Sequence, residues 1–134
     1  MILMACVDDG MGMMFNHRRQ SSDSVLRLRM LSVTAGHKFW MNEYTASQFD
    51  SADSINVSED PLGSAGEDDF CFVENVDPTA HADKILRIYL YRWNRAYPSD
   101  FKFMLDLSGY QLESSVDFAG NSHEKITEEV YIKK

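Results

Sequence analysis

One glycine- and methionine-rich segment near the start of the chain gathers many of the side chains that could do chemistry. Asp8 and Asp9 open it, and it closes on Asn16, His17, Arg18, Arg19 and Gln20. Loops carry binding and catalytic groups more often than core elements do. Guanidinium groups pair well with phosphate or carboxylate, so this segment indicates contact with an anion. The alternative is a solvated loop whose surface ion pairs contribute little stability.

Asp23 is the second candidate. It follows Ser21 and Ser22 and precedes the apolar residues of a helix expected over about 23–33. Serine and aspartate side chains accept hydrogen bonds from the free N–H groups of a helix start. The residues alone therefore favour Asp23 as a helix cap.

A metal centre is not expected. The four histidines, His17, His37, His81 and His123, show no ligand spacing. Adjacent carboxylates such as Asp8 and Asp9 point apart on an extended chain. Cys6 and Cys71 each lie in an apolar run, which is typical of buried free thiols.

The elements that position these residues begin with a buried strand. Residues 2–7 are a continuous apolar run, which is typical of a central strand. A loop over 8–20, the helix, a stop near Gly36 and a strand at 39–41 follow. A short helix is expected at 45–49, a weak strand at 55–57, a loop at 60–69 and a strand at 70–73.

Later segments alternate between apolar and polar residues. A helical turn at 78–83 precedes strands expected at 85–93, 101–107, 111–118 and 126–132. Strand and helix alternate early and strands dominate late, so we expect an α/β fold in one domain over 1–134. Its sheet is mainly parallel, is flanked by helices and ends in a C-terminal antiparallel hairpin.

Composition limits the class of protein. The 134 residues are 44% hydrophobic and carry a net charge of −8, which disfavours nucleic acid as a partner. No apolar run reaches membrane-spanning length, so we expect a cytoplasmic protein without membrane contact. Between residues 50 and 83 no Lys or Arg occurs, and ten acids do: Asp50, Asp53, Glu59, Asp60, Glu67, Asp68, Asp69, Glu74, Asp77 and Asp83.

The ordered segments resemble the dihydrofolate reductase family. Ile2 to Met14 is similar to that family's first strand and active-site loop, and Thr34 to Met41 to the end of its first helix and its second strand. Ile88-Tyr89-Leu90 and Ser99 to Phe103 match its later strand-loop-strand without a gap. Asn121-Ser122-His123 is similar to its last hairpin. The resemblance covers nearly the whole chain.

The resemblance implies roles for four residues. Asp23 falls near the carboxylate that holds the pterin ring and helps to deliver a proton while NADPH supplies hydride. Gly12, Asp100 and Ser122 match positions that steady the mobile active-site loop. Asp100 is also explained as a turn residue after Pro98 and Ser99.

The residues that would contact the cofactor and the folate tail depart from the family's pattern. The segment that grips the cofactor phosphates reads Asn42-Glu43-Tyr44-Thr45, which keeps Thr45 and lacks the basic residues. Glu74-Asn75 replaces the double glycine beside the cofactor, and His17-Arg18-Arg19 replaces the Pro-Trp before the helix. The arginine for the folate tail has no counterpart in residues 50–58. The acidic segment repels phosphates, so NADPH is a doubtful cofactor.

In the resembled fold the first loop lies against the loop after residue 93. This places five basic residues near one another as a possible anion site: His17, Arg18, Arg19, Arg92 and Arg95.

Three functions remain open. The first is a degenerate reductase that binds a small molecule in the sheet cleft, and the second is an active NADPH-dependent reductase of a pterin-like substrate. The third is a phosphoester-acting or anion-binding protein. A fold alone does not choose among them.

Overall fold

The computed structural model describes residues 1–50 and 55–134. Its three helices are α1 (Ser24–Val33), α2 (Glu43–Ala46) and α3 (Pro61–Ser64), and 3-10 turns lie at Thr79–Lys84 and Leu107–Gly109. Its strands are β1 (Ile2–Val7), β2 (Gly12–Phe15), β3 (Arg18–Arg19), β4 (Phe39–Met41), β5 (Ile55–Val57), β6 (Phe70–Phe72), β7 (Arg87–Arg92), β8 (Phe101–Lys102), β9 (Tyr110–Phe118) and β10 (Ile126–Lys133).

Seven strands form the main sheet in the order β5-β4-β6-β1-β7-β10-β9. The pairs from β5 to β7 are parallel, and β10 is antiparallel to both β7 and β9. The expected fold class, a mainly parallel sheet closed by an antiparallel hairpin, is confirmed. In the described part of the chain, α1 has ten residues, and α2 and α3 have four each.

The continuous apolar run of β1 reflects burial on both of its faces. Leu3 and Val7 point into one core cluster, and Met4 points into the other. On the first face the sheet packs against β2, α3 and the chain after β8, and on the second it packs against Leu26 and Met30 of α1. Central strands covered on two faces lack the alternation of a half-exposed strand.

The loop expected over 8–20 is more regular than the sequence indicated. Residues 12–15 and 18–19 form β2 and β3, which join β8 in a second sheet of order β3-β2-β8. The turn between β2 and β3 places Asn16 and His17 at positive φ, 52° and 62°. Neither residue is a glycine, so the strongest hairpin signal, an Asn-Gly or Asp-Gly pair, is missing here.

Helix α1 begins as its capping residues predict. Asp23 is the N-cap, and its side chain accepts hydrogen bonds from the N–H groups of Val25 and Leu26. The helix ends at Val33, with Thr34 as its C-cap, and Gly36 follows in the turn at φ +84°. Glycine adopts that conformation without the steric penalty of a Cβ.

Three expected boundaries were wrong. The helix at 45–49 instead spans Glu43–Ala46, because the Asn42 side chain caps it at the N–H of Thr45. The loop at 60–69 contains α3, which Asp60 caps and Pro61 opens. The strand at 101–107 pairs only over Phe101–Lys102, and Phe103 and Leu105 then enter the core from unpaired backbone.

Asp53, one of the ten acids counted in the sequence, lies outside the described residues, as does part of the segment 50–58. No helix in the described part of the chain is long and apolar enough to cross a membrane.

Candidate functional site

A shallow recess lies where the carboxyl ends of three parallel strands meet the start of α1. Cys6 of β1, Glu74 after β6 and Trp93 after β7 line it from the sheet, and Asp23 and Leu26 line it from the helix. Open α/β sheets bind ligands at this edge. The resemblance placed the pterin carboxylate here, so this edge is the candidate site.

Asp23 is fully enclosed, and six donors from this chain surround its carboxylate. Oδ1 accepts from the N–H groups of Val25, Leu26 and Asn121 at 3.0, 3.3 and 2.9 Å. Oδ2 accepts from the N–H and the hydroxyl of Ser122 at 2.9 and 3.3 Å, and it lies 2.9 Å from His123 Nδ1. The side chain is 0% exposed, so no carboxylate oxygen faces open space.

These donors keep Asp23 ionised. Burial opposes the charge, but the hydrogen bonds from Asn121, His123 and Ser122 outweigh it and hold the pKa of Asp23 well below its usual range. The carboxylate joins the start of α1 to the hairpin between β9 and β10. The capping role expected from the residues is confirmed, while its part in a reduction stays a prediction.

His123 completes the cluster from the hairpin side. Its ring is buried and stacks on Trp93, with centroids 4.6 Å apart and an interplanar angle of 24°. Nε2 lies 2.9 Å from Ser21 Oγ and 3.2 Å from Tyr97 Oη. The imidazole therefore links a buried carboxylate on one side to two hydroxyls on the other.

The recess beside Asp23 is nearly full. Its volume is about 10 Å³, and a cavity of that size holds about one water molecule. Phe72, Trp93 and Met30 occupy its apolar side, and Tyr91 is fully buried in the same core cluster.

A larger cavity of about 430 Å³ lies between β2, the end of β6 and the start of β8. Met14, His17, Asn75, Asp100 and Phe101 line it. Asp100 Oδ2 accepts a hydrogen bond of 3.0 Å from the N–H of Asn16, so it contacts the first loop. Cavities of a few hundred Å³ are typical of small-molecule sites.

Asp8 organises the first loop from beneath. Its Oδ1 accepts from the N–H groups of Gly10 and Gly12 at 2.9 and 2.6 Å, and its Oδ2 accepts from the N–H of Tyr97 at 3.0 Å. Burial opposes its charge, but these bonds lower the pKa of Asp8 from its ordinary value. A Cβ on Gly12 would stand 2.5 Å from Ser99 Oγ, so the loop packs closely at that residue.

Glu74 and Asn75, which replace the double glycine, form hydrogen bonds with other side chains of this protein. Glu74 is buried and forms a two-pronged ion pair with Arg19, at 3.0 and 3.2 Å. Asn75 accepts a 2.8 Å hydrogen bond from Asn42. Thr45 is 0% exposed, and its hydroxyl has no hydrogen-bond partner among the residues that the structure describes.

The five basic residues of the expected anion site are divided among separate contacts. Arg19 is committed to Glu74 and lies 4.4 Å from the centroid of the Tyr44 ring. Arg92 pairs with Glu129 at 2.6 Å. His17, Arg18 and Arg95 are exposed, and within residues 1–50 and 55–134 none of the three forms an ion pair that would compete with an incoming anion.

Sequence reasoning gave His123, Ser21 and Tyr97 no role in a site. His123 Nδ1 and Asp23 stand 100 positions apart in the chain, and His123 Nε2 and Ser21 stand 102 apart. No spacing rule detects such pairs. The only available signal was the Asn-Ser-His segment within the resemblance, which singled out Ser122. Among the described residues, no group of three or more His, Cys, Asp and Glu could hold a metal ion.

Comparison with known proteins gives a structural likeness and no sequence match. No family model and no curated protein sequence matches the chain. The solved structure of dihydrofolate reductase from Enterococcus faecalis, complexed with NADP(H) and RAB-propyl, matches with a TM-score of 0.70. The match covers 99% of this chain and 95% of that chain at 9% identity. The chain therefore has a dihydrofolate-reductase-like fold.

Proposed function

We propose that this protein binds a small molecule in the 430 Å³ cavity and does not carry out NADPH-dependent reduction. The observation that carries the proposal is that both carboxylate oxygens of Asp23 are already hydrogen-bonded within the protein. A reductase of the resembled type needs a carboxylate that meets a pterin ring, whereas both oxygens of Asp23 are held by donors of this chain.

The volume beside Asp23 supports the same conclusion. A pterin is a two-ring system, and a recess of about 10 Å³ admits one water molecule. Phe72 and Trp93 line that recess and are each less than 5% exposed. Opening it requires moving side chains out of a close-packed core, which is costly.

The residues at the expected position of the cofactor phosphates also support the proposal. A reductase holds the cofactor pyrophosphate with basic side chains and a helix start. Here the first residue of α2 is Glu43, and the helix has four residues. Glu74 adds a second carboxylate beside the cleft, and its charge is already matched by Arg19. NADPH would meet little positive charge here.

The cavity itself indicates the class of ligand. Met14 and Phe101 supply apolar surface, Asn75 supplies an amide, and Asp100 supplies a negative charge. A planar ring compound that is uncharged or cationic suits this lining, because the ring packs on the apolar side chains while a donor group reaches Asp100 or Asn75.

Thermal unfolding with candidate ligands tests the proposal. The panel contains NADPH, NADP, dihydrofolate, methotrexate, inorganic phosphate, nicotinamide, adenosine and thiamine. A ligand at a hundred times its Kd raises the free energy of unfolding by about 2.7 kcal/mol, which is a shift of several degrees. We expect a shift with an uncharged or cationic ring compound and none with NADPH.

Matched variants locate the binding. Phe101→Ala lies on the wall of this cavity and should abolish the shift, whereas Phe15→Ala lies on a different cavity and should retain it. Oxidation of NADPH by the protein in the presence of dihydrofolate would overturn the proposal and restore the reductase.

A further inference from the structure

Ser21, His123 and Asp23 have the arrangement of a nucleophile, a base and an orienting acid. We propose that they form an acyl-transfer site, and that the protein hydrolyses esters of small carboxylic acids through Ser21. This activity is separate from the proposed ligand cavity and does not depend on it. Such triads are recognised by geometry and roles, since they recur on unrelated folds in different chain orders.

The geometry of the three groups is continuous. Asp23 Oδ2 lies 2.9 Å from His123 Nδ1, and His123 Nε2 lies 2.9 Å from Ser21 Oγ. Both distances are normal hydrogen bonds. Because the ionised carboxylate only accepts, Nδ1 carries the proton, and the neutral ring presents the lone pair of Nε2 to the serine hydroxyl.

The imidazole is fixed in this orientation. Trp93 stacks on its face, and the His123 side chain is 2% exposed. A base that is already aligned avoids the entropic cost of orienting it during the reaction. Asp23 is held in turn by the N–H groups of Asn121 and Ser122.

The hydrogen bonds that cap α1 do not explain the position of the Ser21 hydroxyl. Asp23 Oδ1 alone accepts from Val25 and Leu26, so the cap is complete without Ser21 or His123. The Ser21 hydroxyl instead turns toward the ring nitrogen that faces away from the carboxylate. That position is the one a nucleophile requires.

Ser21 lines the recess of about 10 Å³ beside Asp23, so we place the substrate in a second cavity that its chain neighbour Gln20 lines. The Ser21 side chain is partly exposed, while its base and acid are buried. Gln20, its neighbour in the chain, and Tyr97, which contacts the same His123 nitrogen, line a cavity of about 300 Å³. Phe15 and Pro98 supply apolar wall for a short acyl chain, and Arg18 supplies a positive charge.

The reaction balances with water as the only co-reactant. Ser21 Oγ bonds to the ester carbonyl carbon while its proton passes to His123 Nε2. The tetrahedral intermediate collapses, the bond to the leaving alkoxide breaks, and that oxygen takes the proton from Nε2. Water then attacks the acyl-serine by the same route, which releases the acid and restores Ser21. Tyr97 Oη lies 3.2 Å from the same Nε2. Its hydroxyl is released when Nε2 takes the serine proton, and we assign it to the oxyanion.

Two measurements on the full-length chain test the proposal. The first is labelling with a fluorophosphonate probe, followed by peptide mass spectrometry to find the modified residue. The second is the rate of p-nitrophenyl acetate hydrolysis. We expect the probe on Ser21 and a hydrolysis rate above that of buffer alone.

Ser21→Ala has a matched control in Ser22→Ala, since Ser22 is the exposed neighbour and does not contact His123. Ser21→Ala should lose labelling and lower the hydrolysis rate by at least about tenfold, whereas Ser22→Ala should keep both. Tyr97→Phe should keep labelling and lower the rate. Labelling of any other residue would refute the proposal. Equal hydrolysis rates for the two serine variants would refute it as well.

Discussion

At the scale of single residues, Asp23 serves two elements at once. One oxygen caps α1, and the other holds the loop between β9 and β10 through Ser122 and His123. A buried charge that is fully hydrogen-bonded stabilises the folded state, while the same charge left without partners destabilises it. Stability therefore depends on the ionised form of this one side chain.

Asp23→Asn tests that dependence. Asparagine still caps a helix, but its amide nitrogen replaces the oxygen that accepts from Ser122 and His123. A buried donor without an acceptor costs about 1–3 kcal/mol. We expect the free energy of unfolding, measured with urea, to fall by about 2 kcal/mol, and the variant to remain folded.

The pH dependence of that loss has a defined sign. The pKa of Asp23 is lower in the folded state than its value of about 3.9 in an unfolded chain. Below about pH 4 the unfolded state binds more protons, so the wild-type protein loses stability as the pH falls. Asp23→Asn should lack this part of the slope, whereas the exposed control Asp9→Asn should keep it. Equal slopes in wild type and Asp23→Asn would count against the argument.

At the scale of elements, the first loop is held in place rather than free. Its hairpin of β2 and β3 pairs with β8, Asp8 accepts from the N–H groups of Gly10 and Gly12, and Asp100 accepts from Asn16. The loop-steadying roles that the resemblance implied for Gly12, Asp100 and Ser122 stay predictions. Ser122 contacts Asp23 and the carbonyl of Ser22 at the helix start.

Gly12→Ala measures how tightly this loop is packed. The added methyl group would stand 2.5 Å from Ser99 Oγ and 2.6 Å from Gln20 Nε2, so both neighbours must move. Overpacking of this kind costs about 1–3 kcal/mol. We expect a matching loss of stability in urea, together with faster hydrogen exchange of the Gly12 and Met13 amides.

Gly109→Ala provides the control, because a methyl group there meets no atom of the described residues within 4 Å. That variant should stay close to the wild type in both measurements. A Gly12→Ala protein as stable as Gly109→Ala would show that the loop adjusts without strain.

At the scale of the whole molecule, one sheet contains seven of the ten strands found in the described residues. Two core clusters lie on its two faces, and β1 contributes to both. Single domains of fewer than about 150 residues usually unfold without populated intermediates, so we expect residues 1–134 to unfold in one cooperative step.

The two tryptophans report on distant parts of the sheet. Trp40 lies on β4, near the β5 edge, and Trp93 follows β7. In the single-tryptophan variants Trp40→Phe and Trp93→Phe, the fluorescence midpoint in urea should coincide with the far-ultraviolet circular dichroism midpoint of the same variant. Separated midpoints would mean that the parallel half and the hairpin half unfold independently.

The sequence by itself determined those features of the protein that depend on interactions between residues close together in the chain. The apolar run of β1, the capping type of Asp23 and the alternation of β9 and β10 each act over a few residues. They were enough for the fold class and for most element positions. Where they failed, as at α2 and the chain after β8, a side-chain cap or a core contact from unpaired backbone had changed the local preference.

Only the tertiary structure decided what Asp23 faces. His123 and Asp23 meet across 100 positions of the chain, and Arg19 meets Glu74 across 55. Whether a recess is open depends on how Phe72, Trp93 and their neighbours fill a shared volume. Such contacts follow from the packing of distant segments, which no spacing within one segment records. The sequence could indicate a reductase-like scaffold, but the three-dimensional packing places Asp23 inside a hydrogen-bonded cluster rather than in an open cleft.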